Sequence, residues 1–256
     1  MLGSLNTAIT GLQAFQQQIN VVGNNIANVN TTGFKTSRTD FADNFSQAMA
    51  GNSTNVQVGT GVSLAAIPTN FNQGTISGTG VGSDLAIAGQ GFFNVRNSAD
   101  STLFATRAGD FHLDSAGYLV TTEGLRVQGS TGDLLVDPAT VVAFSIDQNG
   151  NINVVKKDGT TAVSGQVQLM SFADPSQLMK QAENRYSWTA AAGASTLAAP
   201  RTNGLGALQS AALELSNVDL TSEMSNLIMA QRSFQANARI ISTSDEMLQE
   251  IVNLKR

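Results

Sequence analysis

The chain has no cysteine, which excludes disulfides, thiolate metal sites and cysteine nucleophiles. Its one histidine, His112, leaves no way to build a His-based zinc site or a His-paired triad within a single copy. Charge is scarce too. Asp, Glu, Lys and Arg make up 13% of the residues, about half the usual share, and the net charge of −5 offers no basic footprint for nucleic acid. No apolar run approaches the roughly 20 residues that span a bilayer, so direct membrane insertion is not expected. No basic segment precedes a short apolar one, so a cleaved signal peptide is not expected either. The four prolines, Pro68, Pro138, Pro175 and Pro200, are confined to the middle, and no glycine follows Gly206. An interior proline costs a helix about 3 kcal/mol, so its absence from both ends permits long terminal helices.

The sharpest absence is local. None of the first 34 residues is charged, and Lys35 is the first ionisable side chain. The same stretch carries a heptad, with Leu5, Leu12, Ile19 and Ile26 in one row and Ala8, Phe15, Val22 and Val29 three residues on. A surface helix normally opposes its apolar stripe with charge. Here the opposite face is Asn, Gln, Ser and Thr, as expected of a helix enclosed by other protein. The C-terminal segment repeats the period more strictly, through Leu213, Leu220, Leu227, Phe234, Ile241 and Leu248, widened by Met224, Ala230, Ala238, Ile251 and Val252. Asp219 is placed to cap this helix, Glu223 to complement its dipole, and Lys255 and Arg256 to do so at the other end. Helices over about 3–28 and 220–254 would be roughly 40 and 50 Å long.

Residues 58–200 alternate apolar and polar side chains between turns. Asp84–Val95 reads as a strand, a glycine turn and a strand. Asp114–Gly117, Asn149-Gly150 and Asp158-Gly159 stand between alternating segments as hairpin signals. The expected fold is therefore α+β, mainly β: a central antiparallel β domain whose long N- and C-terminal helices pack together as a coiled coil. The expected division is 1–57 (N-terminal helix and linker, part of an inner domain), 58–200 (β-rich outer domain) and 201–256 (C-terminal helix, the rest of the inner domain).

Chemistry-bearing clusters are weak. Gly89-Gln90-Gly91 runs into a strand rather than a helix N-terminus, so a turn reads better than a nucleotide loop. Asp147–Asn151 lacks the distal glutamate of a calcium loop. His112 reads as a side chain on a strand face. Asp40 and Asp43 fall in a short helical or irregular stretch, and Arg232 and Arg239 share a helical face. No catalytic cluster, metal site, cofactor site or small-molecule site is expected, and the sequence does not read as an enzyme.

Three ordered motifs carry a resemblance. Asn24-Asn25-Ile26-Ala27-Asn28-Val29-Asn30-Thr31-Thr32-Gly33-Phe34-Lys35 resembles the N-terminal motif of bacterial flagellar rod and hook proteins. The Asp84–Phe93 stretch, with Gly89, Gly91, Phe92 and Phe93, resembles their central motif. Ser216-Asn217-Val218-Asp219-Leu220 followed by Gln231-Arg232 resembles the C-terminal one. The resemblance implies an axial structural protein, exported unfolded through the flagellar type III apparatus. It would assemble with itself as a helical homopolymer and with neighbouring rod, hook and junction proteins. Phe41-Ala42-Asp43-Asn44-Phe45, the ending Val252–Arg256 and the short stretch between Asp43 and Gly59 look more like a hook protein. The length of 256 residues suits a rod protein, which stands as the alternative. A coiled-coil adaptor would also explain the heptads, but not the uncharged N-terminal segment.

Overall fold

The computed structural model describes residues 2–48, 57–193 and 195–254, which fall into two compact units. One takes the described residues within 1–28, 36–70 and 218–256; the other takes those within 29–35 and 71–217.

The first unit is built on helix α1 (Leu2–Ala27) and helix α2 (Leu220–Leu254), packed together. α2 starts where Asp219 caps it: Thr221 N–H donates to Asp219 Oδ1 at 2.9 Å and Ser222 Oγ to Oδ2 at 3.0 Å. Leu213 does not belong to this helix, although it continues the heptad. It lies in strand Ala212–Glu214, because the period-two alternation of residues 207–214 prevails until the cap. Lys255 and Arg256 lie outside the described residues. Asp40 and Asp43, expected in a helical or irregular stretch, instead bound strand Asp40–Asp43, antiparallel to Val62–Ala66.

The second unit is β. A ten-stranded sheet runs, among the described residues, through Phe92–Arg96 and its neighbours Leu103–Thr106, Arg126–Gly129 and Leu169–Ser171. Successive strand residues face opposite ways, so Phe93 enters one core with Leu85, Ile87, Phe111 and Leu169, while Phe92 enters another with Met170, Phe172 and Tyr186. The expected turns at Asp114–Gly117, Asn149-Gly150 and Asp158-Gly159 all join antiparallel neighbours. Val141–Ile146, Asn151–Lys156 and Thr161–Gln166 make a three-stranded meander. Leu85–Ala88 and Phe92–Arg96 are both strands but do not pair with each other. Leu85–Ala88 pairs with Ala207–Ser210, and Ile76–Gly78 with Ala212–Glu214, so the β unit is completed by strands beyond residue 200.

Candidate functional site

Most of the residues buried on the helix pair are small. Ala8, Gly11 and Ala14 are buried on α1, together with Val22 and Asn25. A Cβ on Gly11 would lie 2.6 Å from Asn237 Nδ2. On α2 the buried positions are Ala230 and Ser244. The large members of the heptads flank this contact. Leu5, Leu12, Phe15, Ile19, Ile26, Leu227, Phe234, Ile241 and Leu248 are half-buried, whereas Leu220 and Ile251 are exposed. Phe15 also meets Phe41 edge-on, with centroids 6.1 Å apart. Asn24, Ala27, Gln231 and Arg232 are exposed, as is Arg239.

Two motif residues turn out to be internal clamps. Asn25, 1% exposed, donates from Nδ2 to Ser37 O at 2.8 Å and accepts from Ser37 N–H at 3.1 Å. Its amide thus pairs with backbone as a neighbouring strand would. The same Nδ2 donates to Glu223 Oε2 at 3.3 Å, tying α1 to the first turn of α2. Asn28 closes the end of α1, its Nδ2 donating to Asn24 O at 2.9 Å.

Lys35 is the centre of the β unit's only fully buried charge cluster among the described residues. Its Nζ donates to Glu214 Oε1 at 2.6 Å and to Asn72 O at 2.8 Å. Glu214 Oε1 also accepts from Gly74 N–H at 2.9 Å, and Oε2 from Arg107 Nη1 at 3.2 Å. Arg107 Nη2 in turn donates to Gly89 O at 3.0 Å. Neither Lys35 nor Glu214 exposes any side-chain surface. Burial pulls the Lys35 ammonium below the ordinary lysine range against the opposing pull of Glu214, and burial acts in the same direction on Arg107. Neighbouring motif residues fit around this cluster. Gly33, with φ +66°, brings its backbone against Ala108, where a Cβ would stand 2.5 Å from the amide nitrogen. Gly33 N–H donates to Glu214 O at 2.8 Å. Phe34 is buried under the Lys180 ammonium, 3.8 Å from its centroid. Asn217 Nδ2 reaches Asn72 O at 3.0 Å, and Val29 and Val218 are half-buried. Gly89 and Gly91, with φ +126° and +128°, form the expected glycine turn; a Cβ on Gly89 would meet Gly206 Cα at 2.8 Å.

Sequence reading missed Arg107 and Glu214. The available signal was Glu214 itself, an acid in the inward register of the strand it shares with Ala212.

Comparison with known proteins matches three family models along the chain. "Flagella basal body rod protein" covers residues 5–35, "Flagellar hook protein FlgE/F/G D1 domain" covers 86–154, and "Flagellar basal body rod FlgEFG protein C-terminal" covers 209–254. The flagellar basal-body rod protein FlgG of Bacillus subtilis is 43% identical over 266 residues, covering 100% of both chains. The chain belongs to the flagellar rod and hook protein family. As a member of that family it is a structural component of the flagellar basal body or hook, serving motility, and no helix among its described residues is long and apolar enough to cross a membrane. Rod and hook relatives differ in how they align. The FlgG rod protein of Borreliella burgdorferi is 34% identical over 267 residues, covering 100% of both chains. The flagellar hook protein FlgE of the same organism is 25% identical over 443 residues, again covering 100% of both. That span greatly exceeds 256 residues, so the hook relative has long insertions that are missing here. The rod alternative is therefore better supported than the hook reading drawn from Phe41–Phe45 and Val252–Arg256. Within the family frame, the clamp at Asn25 lies inside the first matched segment, and the Lys35–Glu214 ion pair joins the end of that segment to the last.

Proposed function

We propose that the protein is a subunit of the distal rod of the flagellar basal body. It polymerises with copies of itself into a helical tube that transmits torque and encloses the export channel. Its terminal helices form the inner wall as a coiled coil, corresponding to the divisions 1–57 and 201–256, and the 58–200 body faces outward. Neighbouring rod, hook and junction proteins are its partners, the flagellar type III apparatus delivers it unfolded, and its role is structural rather than enzymatic. The observation that carries the rod assignment is the full-length alignment with rod proteins without large insertions.

The helix surface supports assembly as the mode of action. Leu220, Met224 and Ile228 form one exposed apolar row of α2; Met229, Ile240, Met247 and Ile251 form another. Both remain uncovered by α1, and methionine packs adaptably against varied neighbours. The half-buried seam residues Leu5, Leu12, Phe15, Ile19, Ile26, Leu227, Phe234, Ile241 and Leu248 leave further area for neighbouring helices, whereas Val22 is already buried and Val29 lies beyond α1 in the β unit.

Expression in bacteria lacking either their distal rod protein or their hook protein tests the assignment. Restored rods and swimming in the rod-deficient strain, with no restoration of hooks in the other, are expected. Restoration of hooks alone would overturn it in favour of the hook reading.

A further inference from the structure

The sequence contains two Asn-Gly dipeptides, Asn149-Gly150 and Asn203-Gly204, and the fold presents them in different turn registers. In the turn 147–150, glycine is the last residue, and its N–H makes the closing hydrogen bond to Asp147 O at 2.8 Å. Asn149 is also held, its Nδ2 donating to Asp147 Oδ2 at 3.4 Å and its carbonyl accepting from Gln166 Nε2 at 2.9 Å. Gly150 is buried, and a Cβ there would meet Val167 O at 2.8 Å.

In the turn 202–205 the glycine is third. The closing bond runs from Leu205 N–H to Thr202 O at 2.9 Å, so the Gly204 N–H has no bond to make in the turn and finds no acceptor among the described residues. Asn203 and Gly204 are both exposed, with φ of 50° and +78°, the left-handed pair that suits Asn-Gly in a tight turn. Nothing lies within 4 Å of where a Gly204 Cβ would be.

We propose that Asn203-Gly204 is a spontaneous modification site. The Gly204 backbone nitrogen, having lost its proton to solvent base, attacks Asn203 Cγ. The new bond between that nitrogen and Cγ closes a five-membered imide as the bond from Cγ to Nδ2 breaks and ammonia departs. Water then opens the imide at either carbonyl, giving an aspartyl or isoaspartyl residue at position 203, with no change in oxidation state. At Asn149 the same step must first break the Gly150 hydrogen bond inside a packed turn, beside the Asp147 carboxylate, which opposes a second negative charge. The product carries a new charge beside Arg201. Its isoaspartyl form also adds a backbone atom between Thr202 and Leu205, whose buried side chain belongs to the main core.

Trypsin separates the two sites, releasing peptides 127–156 and 202–232. The full-length protein is incubated in mildly alkaline buffer, folded or in denaturant, and the peptides are followed by fragmentation mass spectrometry for exchange of NH2 for OH. In the folded protein, conversion at Asn203 should outpace that at Asn149 by about tenfold or more, a factor equal to about 1.4 kcal/mol of barrier. In denaturant the two rates should converge, and Asn203→Gln should remove the change at that position. Folded Asn149 converting as fast as Asn203, or neither converting while the denatured protein does, overturns the proposal.

Discussion

Replacing Glu214 by Gln removes one negative charge and almost no volume. The amide carbonyl can still accept from Gly74 N–H, so the strand 212–214 keeps its backbone partner and the core keeps its shape. Lys35 and Arg107, however, become two buried cations without a counter-charge. Removing one member of a buried ion pair costs about 3–5 kcal/mol, a large share of the roughly 5–15 kcal/mol that holds a domain folded. Urea unfolding followed at Trp188 reads this unit, because the only tryptophan of the sequence packs against Phe172 with centroids 5.5 Å apart. With a urea slope of about 1–3 kcal/mol per molar, the midpoint should fall by roughly 1–5 M. The loss should also depend on pH. Lys35 is already held below its ordinary range by burial, and the variant removes the Glu214 contributions that oppose this. A lysine whose folded pKa lies below its unfolded value of about 10.4 penalises the fold while protonated, and that penalty is relieved as pH rises through the folded value. The variant should therefore recover part of its deficit between neutral and alkaline pH. An unfolding free energy within about 0.5 kcal/mol of the parent, the range of an ordinary surface change, would refute the reasoning.

Asn25→Ala orphans the Ser37 N–H and carbonyl and one acceptor on Glu223, and should cost about 2–4 kcal/mol; amide exchange at Ser37 should rise in step, and unchanged protection there would count against the clamp. Leu227→Asp or Phe234→Asp should abolish polymerisation and swimming while Trp188 still reports a folded β unit, since an unpaired buried charge costs several kcal/mol at every repeat of an interface; normal polymer would show that this row faces no helix. Gln17→Glu and Asn24→Lys, on the uncharged face of α1, should impair assembly although neither touches the apolar seam. Electron microscopy showing parent-like tubes from both variants would reduce the uncharged face to a compositional accident.

Both terminal helices were legible because the absence of proline and the sustained heptad are local facts, and the Asp219 cap is a local hydrogen bond. The hairpin turns were legible for the same reason. The seven-residue count runs back to Leu213, but the expected helix starts only at 220, in keeping with the Asp219 cap and with the alternation of Leu213 between the buried Ala212 and Glu214. On α1 the buried positions include Ala8 and Val22 of the second heptad row together with Gly11, Ala14 and Asn25, while the larger Leu5 and Leu12 stay half-buried, because close approach favours small side chains. Lys35 was visible as a motif residue, but its partners were not. Arg107 and Glu214 are far from it in sequence, and no short pattern reveals which buried charges meet.

That distance has a kinetic meaning. Lys35 and Glu214 are 179 residues apart, and closing a flexible loop of that length costs about 4–5 kcal/mol of conformational entropy beyond a constant term. The edge pairings of Ile76–Gly78 with Ala212–Glu214 and of Leu85–Ala88 with Ala207–Ser210 carry similar delays. Contacts this remote slow a folding reaction. They also give it a direction when the polypeptide arrives N-terminal end first. Until residue 214 is available, Lys35 has no carboxylate to meet and two strands have no neighbours, so premature closure of the β unit gains little. The arrangement makes arrival of its C-terminal strands the event that commits the β unit to its final structure.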